Sequence, residues 1–239
     1  PSMSMYCYTN KVMSENGIVV TMAGDMGDEL LGGYPKYQKM FYDKKAWPVD
    51  WRGLLNLWIK RIKRPKSLVK DALPDSTLID ALEDCYSNEL WNAEDPVASY
   101  MALDCVTQAP AEFFSRNDTY GMAHSMEGRF PLASKIFMQY CMGIPTKFKL
   151  DKSETKIISR SAYLNILPNQ ITSKSKTGWT VPVGYWLTNK MDSKLINFYT
   201  RSMGNKKLET IKTSQKSAKM LIPDLILKDW KTTYKVQDA

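Results

Sequence analysis

The sequence predicts a mainly α-helical protein with a short residual α/β portion near its start. Three observations predict it. A single β-branched run, Ile18-Val19-Val20-Thr21, is the one convincing strand. A helical stretch closed by Gly17 leads into that strand almost without a linker, which is the habit of an α/β layer with a parallel sheet. Apolar residues elsewhere recur at helical spacing, as in Leu54, Leu55, Trp58, Ile59 and Ile62. One strand is not a sheet, so the remaining strands are expected to be missing from this chain or supplied by another polypeptide.

The elements follow in order. Residues 1–16 read as a helix, with Ser2 or Ser4 as cap and Met5, Tyr8, Thr9, Val12 and Met13 as its stripe. Gly17 is a good stop. After the strand comes Ala23-Gly24-Asp25-Met26-Gly27-Asp28-Glu29-Leu30-Leu31-Gly32-Gly33-Tyr34, read as a tight loop and a short helix. Gly24 and Gly27 are expected to take positive φ and to let the backbone approach another group. If the helix starts here, Asp25 and Asp28 share a face. Carboxylates crowded at a strand's end suit a hard cation that bridges to phosphate oxygens, and Mg²⁺ is typically held by one or two carboxylates plus substrate phosphates. They also suit a helix dipole, which favours acids in the first turn.

Helices are expected over 34–44, 51–63, 74–86 and 96–114, the last kinked at Pro110. The cations Arg52, Lys60, Arg61, Lys63, Arg64, Lys66 and Lys70 make either a phosphate patch or a solvated face. Glu127 and Arg129 can pair across a turn. His124 reads as a polar or partly buried helix residue. A short helix over 134–142 is stopped by Gly143 and Pro145, and Lys147, Lys149 and Lys152 fall in a loop. Residues 155–167 read as a helix capped by Ser153 and ended by Pro168. The Lys-rich stretch 189–239 reads as helical, with Leu221, Ile222, Leu225, Ile226, Leu227 and Trp230 packing back on the domain.

Composition narrows the function classes. A net charge of +8 suits an anionic partner, but no groove-reading motif accompanies it, so nucleic acid is not expected as a partner. Four widely spaced cysteines without a C-x-x-C pair argue for reduced thiols and a cytoplasmic location. One histidine leaves no His-rich zinc site. No apolar run is long enough for a membrane span. The chain begins with Pro1, not Met, and reads as a fragment or a processed form.

The stretch from Ala23 to Tyr34 resembles the Ser-Gly-(Asp/Glu)-Gly-x-Asp-Glu-(Leu/Val)-Phe-Gly-Gly-Tyr signature of the synthetase domain of glutamine-hydrolysing asparagine synthetases, a domain shared with the β-lactam synthetases. Two further stretches follow in the family's order. Asn117-Asp118-Thr119-Tyr120-Gly121-Met122-Ala123-His124-Ser125-Met126-Glu127-Gly128-Arg129-Phe130-Pro131-Leu132 is similar to Asp-Arg-x-Ser-Met-Ala-x-Ser-Leu-Glu-x-Arg-x-Pro-Phe-Leu-Asp. Lys174-Ser175-Lys176-Thr177-Gly178-Trp179-Thr180-Val181-Pro182-Val183-Gly184-Tyr185-Trp186-Leu187 is similar to the family's lysine loop.

The resemblance implies a partial adenine-nucleotide α-hydrolase-like (PP-loop) domain followed by a helical C-terminal region. It makes 1–239 one partial synthetase domain, with 1–45 the end of the nucleotide-binding part and 46–239 mostly helical. It implies ATP and Mg²⁺ as cofactors and an aspartate-like substrate, activated as an acyl-adenylate and attacked by ammonia. By that resemblance Asp28 is a Mg²⁺ ligand, Asp25 manages the incoming nitrogen's proton, and Glu29 stands near the amino-acid substrate. Lys176 and, twenty residues earlier, Lys156 face the phosphates, while Gly24 and Gly27 shape the nucleotide corner.

The sequence also departs from the pattern. Met26 stands where glycine is usual, Ala23 replaces Ser, Thr119 replaces Arg, Ala133-Ser134 replaces Leu-Asp and Trp179 replaces Phe. These put the amino-acid substrate in question more than the ATP chemistry. The family's Ser-Gly-Gly-x-Asp-Ser loop and its N-terminal-cysteine glutaminase are not in this sequence. The expected partner is therefore an N-terminal half that carries both, and the chain alone is expected to be inactive. The alternative is a non-catalytic interaction module that keeps the synthetase scaffold.

Overall fold

A computed structural model describes residues 2–61, 74–86, 88–175 and 177. Lys176, Gly178, the loop after it and the 189–239 stretch lie outside them. Apart from the first turn of α1, everything below belongs to the unit made of Tyr6–Arg61 and Pro74–Gly178.

Helix α1 (Ser2–Glu15) ends at Gly17, whose φ is 78°. Strand β1 (Val20–Met22) follows, and then α2 (Gly27–Leu31), α3 (Pro35–Tyr42), α4 (Trp51–Arg61), α5 (Asp75–Cys85) and α6 (Pro96–Val106). Asp95 caps α6 by accepting from the Ala98 N–H at 3.1 Å, and Pro96 takes the first helical position, where its missing N–H is harmless. A π-helical segment, Ala109–Phe114, runs into α7 (Ser115–Met122). Strand β2 (Glu127–Arg129), α8 (Lys135–Met142), α9 (Ile157–Tyr163) and α10 (Asn169–Thr172) complete the order.

The sheet corrects the reading of the sequence. β1 pairs in parallel with β2, Val20 opposite Glu127 and Met22 opposite Arg129. A second strand is therefore present in this chain. Glu-Gly-Arg has no β-branched residue and carries no strand signal of its own. Glu127 and Arg129 do pair, Nε donating to Oε1 at 2.8 Å, but as next-but-one neighbours on one strand face rather than across a turn.

Other expectations shift for local reasons. The 96–114 helix is split after Val106, and the break at Pro110 takes the form of a π turn. The 155–167 helix begins only at Ile157, because Lys156 adopts the left-handed conformation at φ 59°. Ser153 does not cap it; its hydroxyl and N–H both donate to the Asp151 carboxylate. His124 lies just beyond α7, half-buried, with Nε2 3.6 Å from the Cys7 sulfur. Lys149 is buried, although its neighbours Lys147 and Lys152 are exposed.

Two apolar clusters hold the unit. One gathers Tyr37, Met40, Trp51, Leu54, Leu55, Ile59, Val97, Tyr100 and Leu103 from α3, α4 and α6. The other joins Met26, Leu30 and Leu31 of the acidic corner to Cys105, Ala109, Phe113 and Cys141. The second cluster seats the corner, since α2 has only five residues and cannot stand without tertiary contacts.

Candidate active site at the acidic corner

The corner begins where β1 ends. The Ala23 N–H donates to the Arg129 carbonyl at 2.9 Å, so the second motif's strand fixes where the first motif's loop starts. Asp25 and Met26 form the turn, closed by the Gly27 N–H donating to the Gly24 carbonyl, and α2 starts at Gly27. Asp25 thus precedes the helix and does not share a helical face with Asp28. Neither Gly24 nor Gly27 has positive φ; that conformation falls on Met26, at φ 75°. A non-glycine residue there costs about 1–2 kcal/mol. Met26 is 1% exposed, and its side chain is locked into the second cluster, which offsets the strain. Close approach does hold at Gly27, where an added Cβ would stand 3.1 Å from Leu132 Cδ1 and 3.8 Å from Lys156 Nζ. Gly24 has nothing within 4 Å.

The far end of α2 is built by Gly32 and Gly33. Gly32, at φ 72°, donates its N–H to the Asp28 carbonyl, as does Gly33 at 2.8 Å. A Cβ at Gly33 would collide with the Asp28 carboxylate and the Lys156 side chain. This glycine leaves room for an ion pair. Lys156 Nζ stands 2.5 Å from Asp28 Oδ1, and the Asp28 side chain is 15% exposed. Lys156 also lines a cavity of about 320 Å³ with Ser159, Arg160, Lys174, Ser175 and Thr177. Arg160 is the clamp of that region, donating to the carbonyls of Thr155, Thr172 and Lys174.

The three acids have different surroundings. Asp25 is half-buried and accepts from Asn117 Nδ2 at 3.1 Å; burial raises its pKa, while Arg116 and that hydrogen bond pull it down. Glu29 is 1% exposed and hydrogen-bonded to Tyr34, yet its Oε1 is buried with no partner. Burial raises its pKa too. Asp28 faces the lysine.

The structure therefore brings Asp25, Asp28, Glu29, Gly24, Gly27 and Lys156 into one corner. Lys176 lies outside the described residues. Sequence reading missed Asn117 and Arg116 as partners of Asp25. Their only signal was position, since both stand at the head of the second motif. Among the described residues no cluster of three or more His, Cys, Asp or Glu could hold a metal ion. No helix of the described residues is long and apolar enough to cross a membrane. All four cysteines are free thiols.

The chain is 22% identical over 217 residues to glutamine-hydrolysing asparagine synthetase 1 of Bacillus subtilis (strain 168), covering 77% of this chain and 34% of that protein. It is 25% identical over 223 residues to glutamine-hydrolysing asparagine synthetase 3 of the same organism, covering 80% of this chain and 33% of that protein. The chain spans about a third of the length of these relatives. The asparagine synthase family model matches residues 1–220. With that match spanning the strand, the acidic corner and the lysine that meets it, the chain belongs to the asparagine synthase family.

Proposed function

We propose that the chain is the C-terminal part of an ATP-dependent amide-forming ligase of the asparagine synthetase type. The observation that carries this reading is the Lys156–Asp28 contact at 2.5 Å beside a cavity lined by further cations. A carboxylate and an ammonium so placed provide both signs of charge that a bound triphosphate and its cation require. Asp28 fits Mg²⁺ as a single, partly exposed carboxylate whose other ligands would be phosphate oxygens and water. When bound, that ion neutralises charge on the leaving pyrophosphate.

The chain's own groups then divide the work. Lys156 neutralises phosphate charge, joined by Lys176 from the third motif. Glu29, with a buried oxygen lacking a partner, binds the amino group of an aspartate-like substrate. Asp25 takes the proton as ammonia attacks the activated carboxyl: a C–N bond forms, the acyl–phosphate C–O bond breaks, and AMP leaves with the electron pair. The upstream half supplies the glutaminase, the Ser-Gly-Gly-x-Asp-Ser loop and the rest of the sheet. ATP–pyrophosphate exchange with aspartate, measured after joining the chain to that half, tests the reading. Exchange that vanishes in Asp28→Asn supports it; no exchange in the joined wild type rejects it.

A second reading is favoured by one observation. Val20 and Met22 of β1, with Val19 just before it, are 43%, 79% and 63% exposed, an apolar strand of the kind that marks an interaction surface. On that reading the scaffold binds a partner without catalysis. Partner binding that persists while the joined protein shows no exchange selects it.

A further inference from the structure

Asp25 stands in a setting that opposes its charge. It is half-buried, and Asp28, three residues on, adds a like charge. Two residues of α7 counter this. Asn117 donates one amide hydrogen to Asp25 Oδ2 at 3.1 Å and the other to the Phe113 carbonyl at 3.0 Å. With both hydrogens used, its amide has one orientation. The anchoring carbonyl belongs to the π-helical segment, a departure from the α-helix found frequently at functional sites.

Arg116 precedes Asn117 and is itself held tightly. Its guanidinium lies 4.1 Å from the Tyr6 ring centre, Nη2 donates to the Tyr6 hydroxyl at 3.1 Å, and Nη1 meets Glu112 Oε1 at 3.3 Å. Its side chain is 10% exposed. Its Nε is buried with no hydrogen-bond partner among the described residues. Its positive charge favours the ionised form of Asp25 and offsets part of the burial that opposes it.

We propose that Asn117 and Arg116 are positioning residues for Asp25: Asn117 fixes the direction of its carboxylate, and Arg116, held rigidly one residue before it, supplies positive charge that favours the anionic form, the form that accepts a proton from the incoming nitrogen. The consequence for amide formation rests on the ligase reading above; the control of Asp25 itself does not.

Among the described residues, the charged and titratable groups facing Asp25 are Arg116, Asp28 and Tyr6, with Glu112 across the guanidinium. The test is a carboxyl-carbon NMR titration of the full chain, with the Asp151 carboxylate, held by its own turn, as internal reference. Asn117→Ala and Arg116→Met should each raise the Asp25 midpoint by about one pH unit. Asn117→Gln and Arg116→Lys, which keep a donor and a charge, should move it less. Asp151 should not move in any of them. An Asp25 midpoint unchanged in both Asn117→Ala and Arg116→Met overturns the proposal, as does a loss confined to thermal stability.

In the joined protein, Asn117→Ala should leave ATP–pyrophosphate exchange within about twofold and lower amide formation about tenfold or more, one hydrogen bond to a charged group being worth about 1.5–3 kcal/mol. Exchange lost in the wild type sinks the ligase reading but leaves the titration to decide the positioning. Exchange intact, with amide formation equally intact in Asn117→Ala, sinks the positioning alone.

Discussion

Asp104 on α6 and Glu29 on α2 are buried to the same depth, 0% and 1% exposed, yet they are partnered in opposite ways. Asp104 accepts from the Tyr37 hydroxyl at 2.5 Å and from Trp58 Nε1 at 2.7 Å, and meets Lys36 Nζ at 2.5 Å. The Lys36 ammonium in turn lies 5.0 Å from the Tyr34 and Tyr37 ring centres and 5.3 Å from that of Tyr100. Glu29 has Tyr34 and one oxygen left over. A buried acid with both oxygens engaged fastens elements together. A buried acid with capacity to spare is held ready for something else.

Breaking the satisfied site should have the largest effect. Asp104→Ala strands the Lys36 charge, the Tyr37 hydroxyl and the Trp58 indole, and should lower stability by about 3–5 kcal/mol in urea denaturation. A loss below 1 kcal/mol would erase the contrast with Glu29. Next is Gly33→Ala, whose methyl displaces the Asp28 carboxylate and the Lys156 stem. It should cost about 1–3 kcal/mol by the same assay and abolish pyrophosphate exchange in the joined protein.

Lys149→Met sharpens the comparison with a buried base. Lys149 is 1% exposed, and among the described residues no ion pair involves it. Burial lowers its pKa from the usual lysine value. Between the lowered and the usual values the folded state binds fewer protons than the unfolded chain, so stability rises with pH across that window. Lys149→Met should raise stability at pH 7 by about 1 kcal/mol and remove the alkaline rise. A mutant less stable than wild type at every pH would overturn this.

Glu29→Gln should have the smallest effect on stability, within about 1 kcal/mol. Here the sign reverses. The folded carboxyl keeps its proton to higher pH than the unfolded one. Its stabilising share is full below the usual carboxylate value and is lost as pH rises through the raised one. Glu29→Gln should flatten that fall when unfolding is followed across the acid range.

The sequence told different parts of this unequally. The acidic corner was legible because glycines, acids and a leucine pair crowd into a dozen residues, and its helix stops where Gly32-Gly33 says it should. The left-handed backbone at Met26 and Lys156 was not, since neither residue type favours it. In each case surrounding packing or an ion pair imposes it. β2 was invisible because Glu127-Gly128-Arg129 becomes a strand only by lying against β1. Lys149 looked like a loop lysine because burial depends on neighbours distant in sequence. Asn117 and Arg116 went unread for the same reason: their meaning is contact with Asp25, 92 residues away in the case of Asn117.

The β1–β2 ladder joins Val20 to Glu127. Closing so long an excursion is entropically expensive and slow, and parallel pairing gives nothing back until both strands are present. During synthesis the acidic corner leaves the ribosome before the second motif and cannot take its final shape until that motif follows it out. The α3, α4 and α6 segments all precede the second motif, and Leu150, beyond it, completes their cluster. Corner and cluster alike are finished only by residues much later in the chain.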